Sequence, residues 1–96
     1  MYAVIFRAKI NELDEQYAIT SSRLRALAME NYGCIEFVSL TEGDQEVAIS
    51  YWPDLENIRQ WKQNAEHLHA QALGRTKWYK TYSVQIVEII NAYKKP

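Results

Sequence analysis

Hydrophobic residues in the first third of the chain follow the two-residue period of a strand and then the period of a helix. Residues 2–10 are β-branched and aromatic at the start and alternate with polar residues afterwards, which predicts a central strand. Between residues 13 and 28, apolar positions recur every three or four residues, so a helix is expected. Asn11 or Asp14 can cap this helix, and Gly33 is expected to take the left-handed conformation beyond its end.

Two further strands follow, close enough in sequence to pair directly. Residues 34–41 are rich in Ile, Phe and Val, and residues 47–52 show the alternation of a strand. The short segment Glu42-Gly43-Asp44 lies between them. A glycine-containing connection of this length predicts an antiparallel hairpin.

A second helix and a final strand complete the pattern. Asp54 follows a proline and predicts a helix start. One face of the helix is apolar, with Ile58, Trp61, Ala65, Leu68 and Ala72 at helical spacing. Asn64 could divide this segment into two shorter helices, because asparagine caps a helix well and is unfavourable inside one. Gly74 ends the segment, residues 78–90 predict a long strand, and residues 91–96 form a polar tail.

The predicted element order, β-α-β-β-α-β, indicates an α+β fold of the ferredoxin-like type in one domain, residues 1–96. Its four-stranded antiparallel sheet would carry both helices on one face. The predicted strands are apolar on both faces, with Val4, Phe6, Ile35, Phe37, Ile49, Val84 and Val87. The face without helices therefore needs a cover, and a second copy of the chain, packed sheet to sheet, is the simplest one.

Composition and charge favour a soluble cytoplasmic protein. The net charge is −1, which gives no basic surface for nucleic acid or an anionic membrane. The third predicted strand, QEVAISYW, lacks the glycine and basic residue that RNA-recognition domains carry there. Cys34 is the single cysteine and cannot form an internal disulfide. The first residues do not resemble a signal peptide, and no apolar run is long enough to span a membrane.

Residues with candidate chemistry concentrate between residues 50 and 82. Trp61 lies on the apolar helix face, where it is either part of the core or a wall that stacks on a flat ligand. Trp52 and Trp78 flank loops at the ends of the sheet and could contact a ligand or a partner. Arg75 belongs to a small basic cluster that is either a solvated turn or a site for a ligand carboxylate or phenolate.

The two histidines do not predict a metal site. His67 and His69 are two residues apart, so a helix directs them about 200° away from each other. A helical pair of metal ligands would be spaced by four residues. We therefore expect no metal.

Several of these residues also give the chain its resemblance to a known family. Tyr17 in the first helix and Gly33-Cys34 before the second strand are two of them. Residues 47–82 read VAISYW-P-D-x-x-x-I-x-x-W-K-x-N-A-E-H-L-x-A-Q-x-L-G-R-x-x-W-Y-x-x-Y. In this pattern the chain is similar to the antibiotic biosynthesis monooxygenase (ABM) domain family, over nearly its whole length.

The resemblance implies a homodimeric α/β barrel of two ferredoxin-like subunits, with a ligand pocket between sheet and helices in each. It also implies a cofactor-independent monooxygenase that acts on a small aromatic phenol or quinol. In that case Trp61 would stack on the ring, with Trp52 and Trp78 as further substrate contacts. Asn64 and Arg75 would hold the oxygens of the substrate, and His67 would be the base.

Two alternatives stay open on the same resemblance. One is a protein that binds a small planar ligand without turnover. The other is a haem-binding or haem-degrading relative, in which an asparagine on the first strand and a helix histidine act beside the tryptophan. The corresponding positions here fall near Phe6 and Gln71, which disfavours haem as a cofactor.

Overall fold

The computed structural model describes residues 1–72 and 75–96, and within these the side chains of residues 1–66 and 77–96. Its elements in chain order are β1 (Tyr2–Ile10), α1 (Glu15–Asn31), β2 (Glu36–Glu42), β3 (Gln45–Trp52), α2 (Leu55–Ala72), α3 (Arg75–Trp78) and β4 (Tyr79–Glu88). Apart from the short α3, this is the predicted order. The α+β, ferredoxin-like fold class is confirmed.

The four strands form one antiparallel sheet in the order β2-β3-β1-β4. The hairpin prediction is confirmed, since β2 and β3 pair from Glu42–Gln45 at the turn to Glu36–Tyr51. Strand β2 begins two residues later than predicted. The reason is that the backbone N–H of Cys34 donates to the carbonyl of Ala28, at 2.9 Å, and so still belongs to the end of α1.

The residues at both ends of α1 have the capping and turn conformations that the sequence predicts. Asp14 is the cap, and its Oδ1 accepts a hydrogen bond from the backbone N–H of Tyr17 at 2.8 Å. Gly33 has φ +78°, the left-handed conformation that glycine adopts without strain. A Cβ at this position would lie 2.8 Å from Nδ2 of Asn57 on α2. Gly33 therefore permits both the turn and the close approach of the second helix.

Helix α2 runs without interruption from Leu55 to Ala72, so the division at Asn64 is wrong. Asp54 caps it, accepting from the backbone N–H of Asn57 at 2.9 Å. The side-chain amide of Asn64 donates to the hydroxyl of Tyr32, at the C-terminal end of α1. This tertiary hydrogen bond offsets the low helix propensity of asparagine, which local sequence alone does not reveal.

The start of the last strand also differs from the prediction, because Trp78 ends α3 and β4 begins at Tyr79. The carbonyl of Trp78 accepts from the backbone N–H of Asn11 at 2.7 Å, and its ring Nε1 donates to Oδ1 of Asp14 at 3.1 Å. These bonds join the end of α3 to the segment between β1 and α1. They are long-range contacts that the alternation of apolar residues does not show.

The apolar residues of the strands are divided between the two faces of the sheet, as expected. Val4, Phe6, Phe37 and Val84 lie on the face that carries the helices. By the strand register, Ile49 lies opposite Ile5 and Val38 on the other face, together with Val87. Among the described residues, Val38 is 36% exposed and Leu40 72% exposed. The face without helices is thus apolar and uncovered in the single chain.

Acid is expected to remove the contribution of Asp14 to stability. The backbone N–H of Tyr17 and, to a smaller extent, the Lys77 ammonium at 3.1 Å hold the pKa of Asp14 below its ordinary value of 3.8. A carboxyl whose pKa is lowered by folding stabilises the protein above the ordinary value, and this contribution is lost as the pH falls through the lowered pKa. Asp14→Asn, which can still cap the helix, should therefore be less stable than wild type at pH 7 and equally stable near pH 2. Urea denaturation of both proteins across this pH range checks the prediction; a difference that does not change with pH contradicts it.

Candidate functional site

A cavity of about 420 Å³ lies between the helix-bearing face of the sheet and helices α1 and α2. The sheet contributes mainly aromatic and aliphatic side chains, among them Val4, Phe6, Phe37, Tyr79, Tyr82 and Ile86. The helices contribute Tyr17, Ser21, Leu24, Ile58, Trp61 and Ala65. Volume and composition are those of a small-molecule site, apolar with a few polar groups.

Trp61 forms one wall of the cavity. Its ring is half-buried and packs edge-on against Phe37, with 6.3 Å between the centroids. Its Nε1 donates to the carbonyl of Leu24 on α1 at 3.1 Å, which fixes the plane of the ring. The sequence left open whether Trp61 is core or cavity wall; its side chain serves as both.

Trp52 and Trp78 do not contact the cavity, in contrast to the substrate contact expected for them. Trp52 is 0% exposed and Trp78 1% exposed. The ring of Trp52 lies behind Trp61, at 5.3 Å between centroids, and its Nε1 donates to Oγ of Ser50 at 2.8 Å. Both rings fill the core at opposite ends of the domain, so neither is available to a ligand.

Asn64 does not lie where its predicted role, the binding of substrate oxygens, would require it to be. Its amide is engaged with Tyr32, and Asn64 is not among the described residues that line the cavity. The side chains of His67 and Arg75 lie outside the described residues, as do those of His69 and Gln71.

Tyr17, Glu46 and Tyr79 form a polar cluster that the sequence analysis missed. Glu46 on β3 lines the cavity and is only 8% exposed. The Tyr17 hydroxyl donates to Oε1 of Glu46, whereas Oε2 is buried without a hydrogen-bond partner among the described residues. The available signal was the phase of β3: Glu46 alternates with Ala48, which faces the cavity, so a carboxylate occupies an inward position.

The tyrosines of this cluster are held in the protonated form. Burial, followed by the hydrogen bond to Glu46 and its charge, raises the pKa of Tyr17. Burial, followed by the charge of Glu46, raises the pKa of Tyr79 more strongly. Both phenols therefore stay neutral at any ordinary pH and can donate hydrogen bonds next to the carboxylate.

Charged side chains line other parts of the cavity. The Arg25 guanidinium donates to the carbonyl of Phe37 at 2.7 Å and lies 5.7 Å from the centroid of that ring. Lys62 and Glu66 are exposed residues of α2 that also line the cavity. The cavity thus combines exposed charges with the buried carboxylate of Glu46.

Phe6 is the residue near which the family resemblance places the strand asparagine of haem degraders. Its ring lines the cavity and packs against Tyr79, at 5.3 Å between centroids, and against Tyr82, at 5.9 Å. A phenyl ring cannot donate a hydrogen bond to a ligand. Across the described residues, no three histidine, cysteine or acidic side chains are grouped as they would be to hold a metal ion.

Known proteins provide an independent comparison. Protein YqjZ from Bacillus subtilis (strain 168), which is uncharacterised, is 34% identical over 89 residues, or 92% of this chain and 78% of the relative. SnoaB from Streptomyces nogalater, a cofactor-independent oxygenase, superposes with a TM-score of 0.77 at 18% identity, over 98% of this chain and 97% of that one. A candidate antibiotic biosynthesis monooxygenase from Chloroflexus aurantiacus J-10-fl reaches a TM-score of 0.58 at 12% identity, over 97% and 96% of the two chains. None of the family models compared with the sequence matches it.

The chain is a relative of YqjZ and has the fold of the ABM-domain monooxygenases. No helix within the described residues combines the length and the apolar composition needed to cross a membrane. The likeness to SnoaB extends over the whole domain and therefore includes the sheet and both helices that enclose the cavity. At 18% identity it establishes the fold, and the chemistry has to be argued from the residues of this chain.

Proposed function

We propose that this protein is an ABM-type, cofactor-independent monooxygenase acting on a small aromatic phenol or quinol. The observation that carries the proposal is the cavity between sheet and helices, which is walled by aromatic rings and contains a buried group of hydroxyls and one carboxylate. Trp61, Phe37 and Phe6 supply flat apolar surfaces for an aromatic ring. SnoaB, with the same fold, is described as an oxygenase that needs no cofactor, which supports this choice.

The proposed reaction requires only the substrate and molecular oxygen. Loss of the phenolic proton makes the ring electron-rich enough to reduce O₂. A carbon–oxygen bond forms at a ring carbon that carries hydrogen, and loss of water from the hydroperoxide leaves a quinone. One oxygen atom enters the product, the other leaves as water, and the substrate supplies all four electrons. The protein contributes orientation and stabilisation of the anion.

Filling the cavity should strongly reduce this activity. Ala65 lines the cavity from α2, and Ala65→Phe places a ring inside it. We expect oxygen uptake with 1,4-dihydroxynaphthalene, corrected for autoxidation, to fall at least about tenfold because the substrate loses its space. Ala18→Phe on the exposed side of α1 is the matched control and should keep the wild-type rate. An oxygen electrode measures both.

The same experiment distinguishes the oxygenase from a protein that only binds a planar ligand. Wild-type protein that binds naphthols without consuming oxygen above the autoxidation rate would support the binding protein instead. A haemin titration followed by visible absorption is the companion measurement. A shifted Soret band that bleaches with ascorbate under air would contradict the cofactor-independent proposal.

A further inference from the structure

The carboxylate of Glu46 is the one buried acid in the described part of the chain that has an unsatisfied oxygen. An ionised carboxylate only accepts hydrogen bonds, and each oxygen needs a donor once water is removed. Oε1 has the Tyr17 hydroxyl. The Tyr79 hydroxyl also interacts with the carboxylate, but no described donor has hydrogen-bonding geometry to Oε2. The free energy lost by burying this oxygen is recovered when a donor reaches it.

Three described cations in this part of the fold have partners other than Glu46. Lys9 pairs with Asp44 at 3.8 Å, and Lys77 pairs with Asp14 at 3.1 Å. The Arg25 guanidinium bonds to the Phe37 carbonyl. No ion pair among the described residues includes Glu46. Glu46 lines the cavity, but Oε2 itself is buried, so a molecule bound there can bring the missing donor once a rotation of the Glu46 side chain exposes this oxygen.

We propose that Oε2 of Glu46 accepts the hydroxyl hydrogen of a phenol bound in the cavity and then takes its proton. The binding role is independent of the reaction, while the proton transfer rests on the proposed oxygenase function. The transfer breaks the phenolic O–H bond and forms an O–H bond at Oε2, without any change in oxidation state. The resulting neutral carboxylic acid donates to the phenolate oxygen, and Tyr17 continues to donate to Oε1.

This assignment defines the ligand more narrowly than the cavity volume does. The ligand has a free hydroxyl at the end that meets Glu46. An ether at that position offers no donor, and a carboxylate would place two negative charges together. Thr41, which pairs with Glu46, is four residues from Phe37 along β2, a distance of about 13 Å. A fused aromatic ring system anchored at Glu46 therefore extends towards the wall formed by Phe37 and Trp61.

Glu46→Gln tests the binding role with a matched pair of probes, 1-naphthol and 1-methoxynaphthalene. Wild type should bind the naphthol at least about tenfold more tightly than the ether in equilibrium dialysis, because only the naphthol satisfies Oε2. In the variant, the amide oxygen can accept from Tyr17, so the amide nitrogen faces the ligand and donates. The preference for naphthol should then disappear or reverse.

The control is Glu30→Gln, the same change at an exposed residue of α1 outside the cavity, which should keep the wild-type preference. A wild type without preference, or one that binds neither probe, overturns the proposal. So does a preference that survives Glu46→Gln. Urea denaturation shows whether each variant is folded.

Oxygen uptake separates this proposal from the proposed function. With 1,4-dihydroxynaphthalene, Glu46→Gln should lose about 10²-fold or more in rate if the carboxylate is the proton acceptor. A variant that loses the naphthol preference and keeps the full rate overturns the proton transfer. A wild type that prefers naphthol and consumes no oxygen overturns the oxygenase and supports Glu46 as a binding residue.

Discussion

Replacing Trp52 with alanine is expected to lower the free energy of unfolding by about 3–5 kcal/mol. The indole is 0% exposed and packs with Val4, Ala28 and Ile58, which belong to the same buried cluster. Alanine would leave a large cavity at the junction of β1, β3 and both long helices. It would also remove the donor to Oγ of Ser50, itself a buried residue. For a domain of this size, this is a large part of the total stability.

Urea denaturation followed by circular dichroism measures the loss, at one fixed protein concentration because association would shift the transition. Tyr93→Ala is the control: it also removes an aromatic ring, but from a residue that is 92% exposed, and should change stability by less than about 0.5 kcal/mol. A loss below about 1 kcal/mol for Trp52→Ala would show that the ring is not packed in the core as described.

Ile49→Glu is expected to convert a homodimer into monomers. Ile49 lies in the centre of the sheet face without helices, opposite Val38 on β2 and Ile5 on β1. We propose a homodimer in which a second chain covers this face and buries all three residues. In a two-fold dimer the substitution occurs twice, and each copy would bury a carboxylate without a partner. The dissociation constant should rise by about 10³-fold or more.

Size-exclusion chromatography with light scattering checks this expectation. Wild type should have twice the 11.3 kDa mass of the chain, and Ile49→Glu the mass of one chain. Gln63→Glu adds the same charge at an exposed position of α2 and should remain dimeric. A monomeric wild type at low micromolar concentration, or a dimeric Ile49→Glu variant, would rule out the sheet-to-sheet dimer.

The ends of the helices show how much of the structure can be predicted from local sequence. Asp14, Gly33 and Asp54 act at the helix ends as their residue types indicate, because capping depends on atoms only a few residues apart. Asn64 is the exception, since it lies inside α2 although asparagine is unfavourable within a helix. Its hydrogen bond to Tyr32 crosses 32 residues of sequence and keeps α2 continuous. A local preference worth a few tenths of a kcal/mol is readily outweighed by one tertiary contact of this kind.

The three tryptophans show why the site was harder to predict than the fold. All three are large, apolar and located at predicted element ends or faces, so the sequence offers no means of ranking them as ligand contacts. The packing of α1 and α2 on the sheet decides that Trp61 lines the cavity while Trp52 and Trp78 are enclosed. Glu46 was overlooked because a charged residue in a strand usually faces water.

By itself, the sequence determined the element order, the antiparallel hairpin and the division of apolar residues between two sheet faces. These follow from the periods of strand and helix and from turn and cap residues, which act over short distances. The tertiary structure alone decided the chemistry of the cavity. Tyr17 and Glu46 are 29 residues apart in sequence, and neither has unusual neighbours along the chain. They meet because α1 packs on the helix-bearing face of the sheet, and this packing leaves one carboxylate oxygen buried without a hydrogen-bond partner among the described residues.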